Sequence, residues 1–339
     1  MLTRIKRNHQ QKVMWMGKRK DLQAEVIIAQ LEAAQQPVQP DDPISEAGRK
    51  VLQGEFIRIL QHEAGARSGA DPEDVHKMRV AIRQTRSAFR LLEDYFEPGV
   101  LRGYRRDLRR VMRALAAVRD LDVMMHDLGQ FKLPEDEAQI RAMQGVIEAL
   151  DQRRLVARQH LIATLDSKAY RRFIQSYLTF LTTPGLGART FDHGLVVPFQ
   201  VRHALPPMIY QHVAAVRAYD TVLEGADGPT LHALRIEFKR LRYGVALFAG
   251  VLGKEAESFI NEIKKMQDLL GRMNDIEVAR ESLHDLMQDL DGDQNAAVRL
   301  YLEWLDSERE TIHAKFPAAW QHFNTRTVQR KLAAAVTVL

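Results

Sequence analysis

His76, Arg79, Arg83, Arg86 and Arg90 stand three and four residues apart, the spacing that stacks side chains on one face of an α-helix. A guanidinium group donates hydrogen bonds, accepts none and keeps its charge. The chemistry this row offers is therefore the holding of an anion. Like charges four residues apart cost an isolated helix roughly 0.2–0.5 kcal/mol per pair, so the row calls for a compensating anion, from this chain or from a ligand. His76 falls in the first turn, where free backbone N–H groups favour anions and disfavour a protonated imidazole. Donation to phosphate, packing or capping, and metal ligation are the three roles open to it.

An element must carry this row. Val75, Met78, Ile82, Phe89, Leu92 and Phe96 recur at helical spacing beside the cations, which predicts an amphipathic helix packed on a core with the basic stripe at its edge. The pattern returns later in the chain. Adding 156 converts His76, Arg79, Arg83 and Arg86 into His232, Arg235, Lys239 and Arg242, and Val75, Met78 and Ile82 into Leu231, Leu234 and Phe238. Asp71 before Pro72 and Asp227 before Pro229 mark a capped, proline-initiated start in both copies. An offset of 155 relates Arg109, Arg119, Asp120 and Asp122 to Lys264, Asn274, Asp275 and Glu277. We read an internal duplication.

The next predicted helix, 101–128, carries Leu108, Val111, Leu115 and Val118 on one side and Arg102, Arg106, Arg109 and Arg113 on another. A short connection makes it an antiparallel neighbour of the stripe helix, which predicts that Arg106, Arg109 and Arg113 join the first row in one groove, with Lys264 and Lys265 as second-half counterparts. Arg119, Asp120, Asp122 and Asp275 are the expected internal ion-pair partners, Asp120 and Asp275 orienting the arginines. These few carboxylates cannot neutralise both rows.

Composition narrows the reading. The chain has a net charge of +5, but residues 76–119 hold 12 Lys and Arg against 4 Asp and Glu, whereas residues 232–277 hold 8 against 7. The positive charge is focused, as a polyanion site requires. Cysteine is absent, which excludes disulfides and thiolate metal sites and fits a reducing compartment. No run of 18 apolar residues and no apolar signal core occurs, so no membrane association and a cytoplasmic location are expected. Aromatics are 7% of residues, which argues against stacking platforms for single-stranded nucleic acid.

Residues 1–43 read as a basic arm with seven Lys or Arg in the first twenty positions and Trp15 alone among them, then a helix and a linker containing Pro37, Pro40 and Pro43. A first helical bundle is expected over 44–183, its fourth helix opened by Pro134. A glycine-bearing join follows over 184–205, then a second bundle over 206–330 and a tail over 331–339. No strand-rich region is found.

Four blocks in order carry a family resemblance. They are His76-Lys77-Met78-Arg79 with Arg83 and Arg86, Val118 through Val123 (VRDLDV), Leu231 through Tyr243 (LHALRIEFKRLRY), and Gln267 through Asp275. Together they resemble the CHAD family, the conserved histidine α-helical domain, over about residues 44–330. The resemblance implies an all-α fold of two helical bundles related by a pseudo-twofold axis. It also implies binding of inorganic polyphosphate in a basic channel between them, without chemical turnover or a cofactor. The stripe residues and the row after them are then polyphosphate contacts, and polyphosphate granules a destination. Nonspecific nucleic-acid or granule-surface binding is the alternative within the binding class. A metal-dependent phosphohydrolase would need an acidic metal cluster or a nucleophile with an adjacent base, and neither is visible. His126, His160, His193, His203, His212, His284, His313 and His322 lack ligand spacing. A histidine phosphotransfer protein is the remaining alternative, and it would rest on His76 alone.

Overall fold

The computed structural model describes residues 24–131, 136–190 and 198–339. The basic arm with Trp15, together with Pro134 and His193, lies outside them. Among the described residues the chain is all-α, without a strand; two isolated antiparallel bridges pair Pro43 with Gln200 and Phe96 with Ala188. No helix among the described residues is long and apolar enough to cross a membrane.

After α1 (24–34) come α2 (Ile44–Gln61), α3 (Glu63–Ser68), α4 (Pro72–Leu91), α5 (Val100–Gln130), α6 (Glu137–Asp166) and α7 (Lys168–Thr182). They are followed by α8 (Val201–Arg217), α9 (Gly228–Leu247), α10 (Glu255–Leu286), α11 (Gly292–Phe323) and α12 (Arg326–Val336). The two basic stripes lie on α4 and α9. Their starts are set as the sequence predicts: Asp71 accepts the Glu73 N–H at 2.8 Å and Asp227 accepts the Thr230 N–H at 2.9 Å, with Pro72 and Pro229 in the first turn. Asp136 and Asp291, also 155 apart, cap α6 and α11.

Packing repeats across the sequence halves. In the first, α4 lies against α2 and α5, and α5 against α6; in the second, α9 lies against α8 and α10, and α10 against α11. The hydrophobic cores do not respect that division. The larger unites α2, α4 and α7 with α8, α9 and α12, and includes Phe56, Phe89, Tyr177, Phe238 and Phe248. The smaller is a four-helix layer in which Met124, Leu128, Val146 and Leu150 of α5 and α6 meet Ile276, Leu283, Val298 and Tyr301 of α10 and α11. Each fully buried Leu, Ile or Phe contributes about 1.5–3 kcal/mol, so the halves are welded rather than hinged. Arg272 of α10 reinforces the weld, pairing with Asp127 of α5 and, at 2.7 Å, with Glu308 of α11. The consequence is that α4 and α9 are pressed together.

Two elements differ from the sequence reading. Helix α8 starts at Val201 rather than Pro206, because the Val201 and Arg202 N–H groups donate to the Asp42 and Pro40 carbonyls at 3.0 Å each. That extra turn leaves Pro206 and Pro207 inside the helix, where their missing N–H groups deprive only the carbonyls of its first turn. Helix α12 continues through the stretch read as a tail, since Leu332 and Ala335 reach the core.

Candidate functional site

Where α4 crosses α9, charges from both halves come within reach of one another. Arg79 and Arg83 of α4 and Arg235 of α9 all repel the ammonium group of Lys239. Burial, together with that repulsion, lowers its pKa from 10.5 to about 7. Arg79 and Arg235 are also held below the ordinary arginine range, burial being the larger cause in each. Two carboxylates face this group. Asp120 of α5 stands 3.6 Å from Arg79, and Asp275 of α10 stands 3.8 Å from Arg235. Both separations exceed hydrogen-bond length, so the acids bias the guanidinium groups without capping their donors. Burial, opposed by Arg79 and reinforced by Asp275, raises the Asp120 pKa.

The donors here are short of partners. The buried Nε–H groups of Arg79, Arg86, Arg235 and Arg242 bond to nothing, and neither does Nδ1 of His76. Arg83, Arg86, Arg109, Arg119 and Lys239 have no carboxylate within 4 Å among the described residues. A buried polar group without a hydrogen bond costs about 1–3 kcal/mol. The unpartnered groups of Arg79, Arg235 and His76 lie where α4 crosses α9, an arrangement able to take up a multivalent anion.

The two histidines occupy unlike surroundings. His232 Nδ1 lies 2.8 Å from Asn274 Oδ1, which also accepts from Arg235 at 3.1 Å, and the pair opens on a cavity of about 670 Å³ between α9, α10 and α11. Around His76 stand Arg119, Glu73, Arg83 and Arg79. His76 is the less exposed of the two, and burial with the nearby Arg119 charge lowers its pKa. At the far end of the α4 stripe, Arg90 meets Arg240 and His212 in a cavity of about 400 Å³ beneath α8. Arg242 leaves its row to lie over the Tyr243 ring, 4.9 Å from the centroid.

The CHAD domain family model matches residues 50–284, well over half of the sequence. The chain belongs to the CHAD family. Its fold is similar to the crystal structure of the CHAD domain from the plant Ricinus communis, with a TM-score of 0.64 and 23% identity, covering 90% of this chain and 95% of that one. It is also similar to PptA from Streptomyces chartreusis, with a TM-score of 0.61 and 15% identity, covering 83% of this chain and 100% of that one. At these identities the likeness is one of fold. No curated protein matches the chain in sequence.

In this CHAD domain the sequence-predicted residues divide. His76, Arg79, Arg83, Arg235 and Lys239 meet at the α4/α9 junction, with Asp120 and Asp275 beside them. Arg86 faces Arg109, so α5 does contribute to this side. Arg106 does not face it. It points with Arg110 into a groove between α5 and α7, while Arg113 and Lys264 are exposed and carry no ion pair. Lys265 is bound to Glu262 at 2.8 Å. Asp122 turns away from the stripe to Arg154 of α6, at 3.0 Å, and ties those two helices together.

Two residues at the junction went unpicked in the sequence, and a third was given another role. Arg119, expected in an ion pair, has none and adds its charge beside His76 and Arg79. Arg105 reaches Glu93 at 2.5 Å and lies beside Arg86 and Arg90. Arg240 of α9 faces Arg90. The signal for Arg105 was available: it precedes Arg109 by four and flanks the apolar row of α5 on the α4 side.

Proposed function

We propose that the chain binds inorganic polyphosphate, without turning it over, in a channel along the α4/α9 junction. The observation that carries this reading is the convergence of Arg79, Arg83, Arg235 and Lys239, two from each half, on a place where, among the described residues, Asp120 and Asp275 alone oppose them. A condensed phosphate chain offers a regular row of charges and acceptor oxygens and nothing else to read. Planar guanidinium forks and a point-charge ammonium repeated along two helices match it. The free Nε–H groups and the unpartnered His76 supply the donors. Affinity then comes from several phosphate contacts with counterion release, which makes it steeply salt-dependent. The CHAD resemblance implies the same ligand and gives polyphosphate granules as the place where the domain would collect.

The test is competition among polyphosphate of defined length, duplex DNA and RNA at several salt concentrations, with phosphate release followed in parallel. Polyphosphate is expected to win at every salt and to be recovered intact. Preference for either nucleic acid, or metal-dependent phosphate release, overturns the proposal.

A further inference from the structure

On the outer side of the first half, α5 and α7 enclose a groove of about 570 Å³, away from the α4/α9 junction. Arg106 and Arg110 line it from α5 and Arg172 from α7, with Gln175 beside them and Phe173 at its base. Asp107 is the one acid of the lining, 3.5 Å from Arg106, and that pair is weak because the Arg106 side chain is 75% exposed. Arg110 and Arg172 have neither an ion pair nor a hydrogen bond among the described residues. Three guanidinium forks around one concave space are a phosphate-binding arrangement.

The groove is joined to the junction through α5 itself. Arg109 turns to Arg86 on the junction side, Arg106 and Arg110 turn to the groove, and exposed Arg113 follows on the same helix. A flexible polyanion leaving the junction therefore meets an unbroken band of arginines over the back of α5.

We infer that the α5/α7 groove is a second phosphate-binding site, engaged by polyphosphate chains long enough to cross α5 from the junction. This rests on the polyphosphate reading above. Occupancy of both sites by one molecule turns the second contact into an intramolecular one, so the groove adds affinity for long chains alone.

The experiment measures equilibrium binding of the full chain to tripolyphosphate and to long-chain polyphosphate across a salt series. In Arg110→Glu/Arg172→Glu, long-chain affinity should fall about tenfold and its salt slope by about 1.5, as two lost phosphate contacts predict. Tripolyphosphate affinity should stay within about twofold of the unaltered chain, by the same local-contact argument. The Arg299→Glu/Arg330→Glu chain carries the same charge change at two exposed arginines elsewhere and controls for net charge; it should lose neither. An equal loss for both ligands, no loss for either, or the same loss in the control overturns the groove and leaves the junction standing. If the unaltered chain binds neither ligand, both proposals fall.

Discussion

Two places in this CHAD domain gather basic side chains from several helices, and they treat them in opposite ways. At Glu262 of α10, Lys265, His322 of α11 and Lys331 of α12 close on one carboxylate at 2.6–3.0 Å. Burial alone would raise that carboxyl's pKa, but the three hydrogen bonds outweigh it and bring the pKa from 4.5 down to about 2. At the α4/α9 junction the acids stop at 3.6 and 3.8 Å, and the perturbation falls on the cations, Lys239 above all. A structural cluster satisfies its charges and lowers the acid. On the polyphosphate proposal, the junction awaits an anion, and it leaves its charges unsatisfied and lowers the base. Distance and the direction of the pKa shift separate the two where a count of arginines does not.

The contrast predicts two effects of similar size, and the first is on stability, away from the junction. Glu262 is 7% exposed, and replacing it in Glu262→Ala removes three charge-assisted bonds. The cost should be about 2–3 kcal/mol in urea unfolding, at the low end for a buried pair because Lys265 and His322 reach water. Tripolyphosphate affinity should not change. Because the folded pKa lies below the unfolded one, the Glu262 contribution is complete above about pH 4.5 and is lost as pH falls towards 2. Glu262→Ala should flatten that part of the acid-stability curve. The second effect is the converse: Arg83→Glu/Lys239→Glu should weaken tripolyphosphate binding about a hundredfold, two charged hydrogen-bonding contacts being worth roughly 3 kcal/mol. Its urea midpoint should hold or rise, since the change relieves repulsion. A variant that unfolds but still binds when folded would make the junction structural.

The contrast also explains what was legible beforehand. The α4 and α9 stripes were, because helical spacing fixes which residues share a face, and Asp71 and Asp227 fix where each helix begins. Arg106 and Lys265 were misplaced from the junction for a different reason. Spacing gives the face of one helix but not the neighbour that covers it. Lys265 is decided by Glu262 three residues earlier together with Lys331 some 66 positions later, and their meeting depends on how α12 docks on α10. Arg106 is decided by α7, which occupies the side of α5 that the sequence reading gave to α4. The weld between halves was equally hidden: Met124 and Ile276 are ordinary core residues until both cores are seen to cross the sequence midpoint.

A third effect is a proton. On the proposed reading, an anion at the junction stabilises the charged amine of Lys239, so between about pH 7 and the pKa of the bound state binding takes up a proton there. Below that range the amine is already charged and the uptake vanishes. Affinity should thus fall by up to about tenfold per unit as pH rises from about 7, until the pKa of the bound state is reached. Lys239→Arg, whose charge does not titrate in this range, should remove that slope while keeping the affinity found at pH 6. Calorimetry in buffers of different ionisation enthalpy reads the uptake directly. An unchanged slope in Lys239→Arg would place the titrating group elsewhere in the chain, because phosphates that lose protons bind cations more tightly.

The smallest effect addresses the unlike halves of the junction itself. Where the first half has Arg119, without an ion pair among the described residues and beside His76, the second has Asn274, whose oxygen accepts from both His232 and Arg235. That amide spends donors which in the first half remain open, and the cavity of about 670 Å³ beside it leaves room for a larger side chain. Asn274→Arg should therefore make the second half more like the first. It adds a fork and frees His232 and Arg235, so tripolyphosphate affinity should rise about threefold and the salt slope steepen by somewhat under one phosphate contact. Glu277 and Glu281 line the same cavity and compete for the new cation, which keeps the gain below that of a full contact. If Asn274→Arg lowers affinity instead, the His232–Asn274–Arg235 bonds position the arginine for its ligand. The second half then contributes through order where the first contributes through unspent charge.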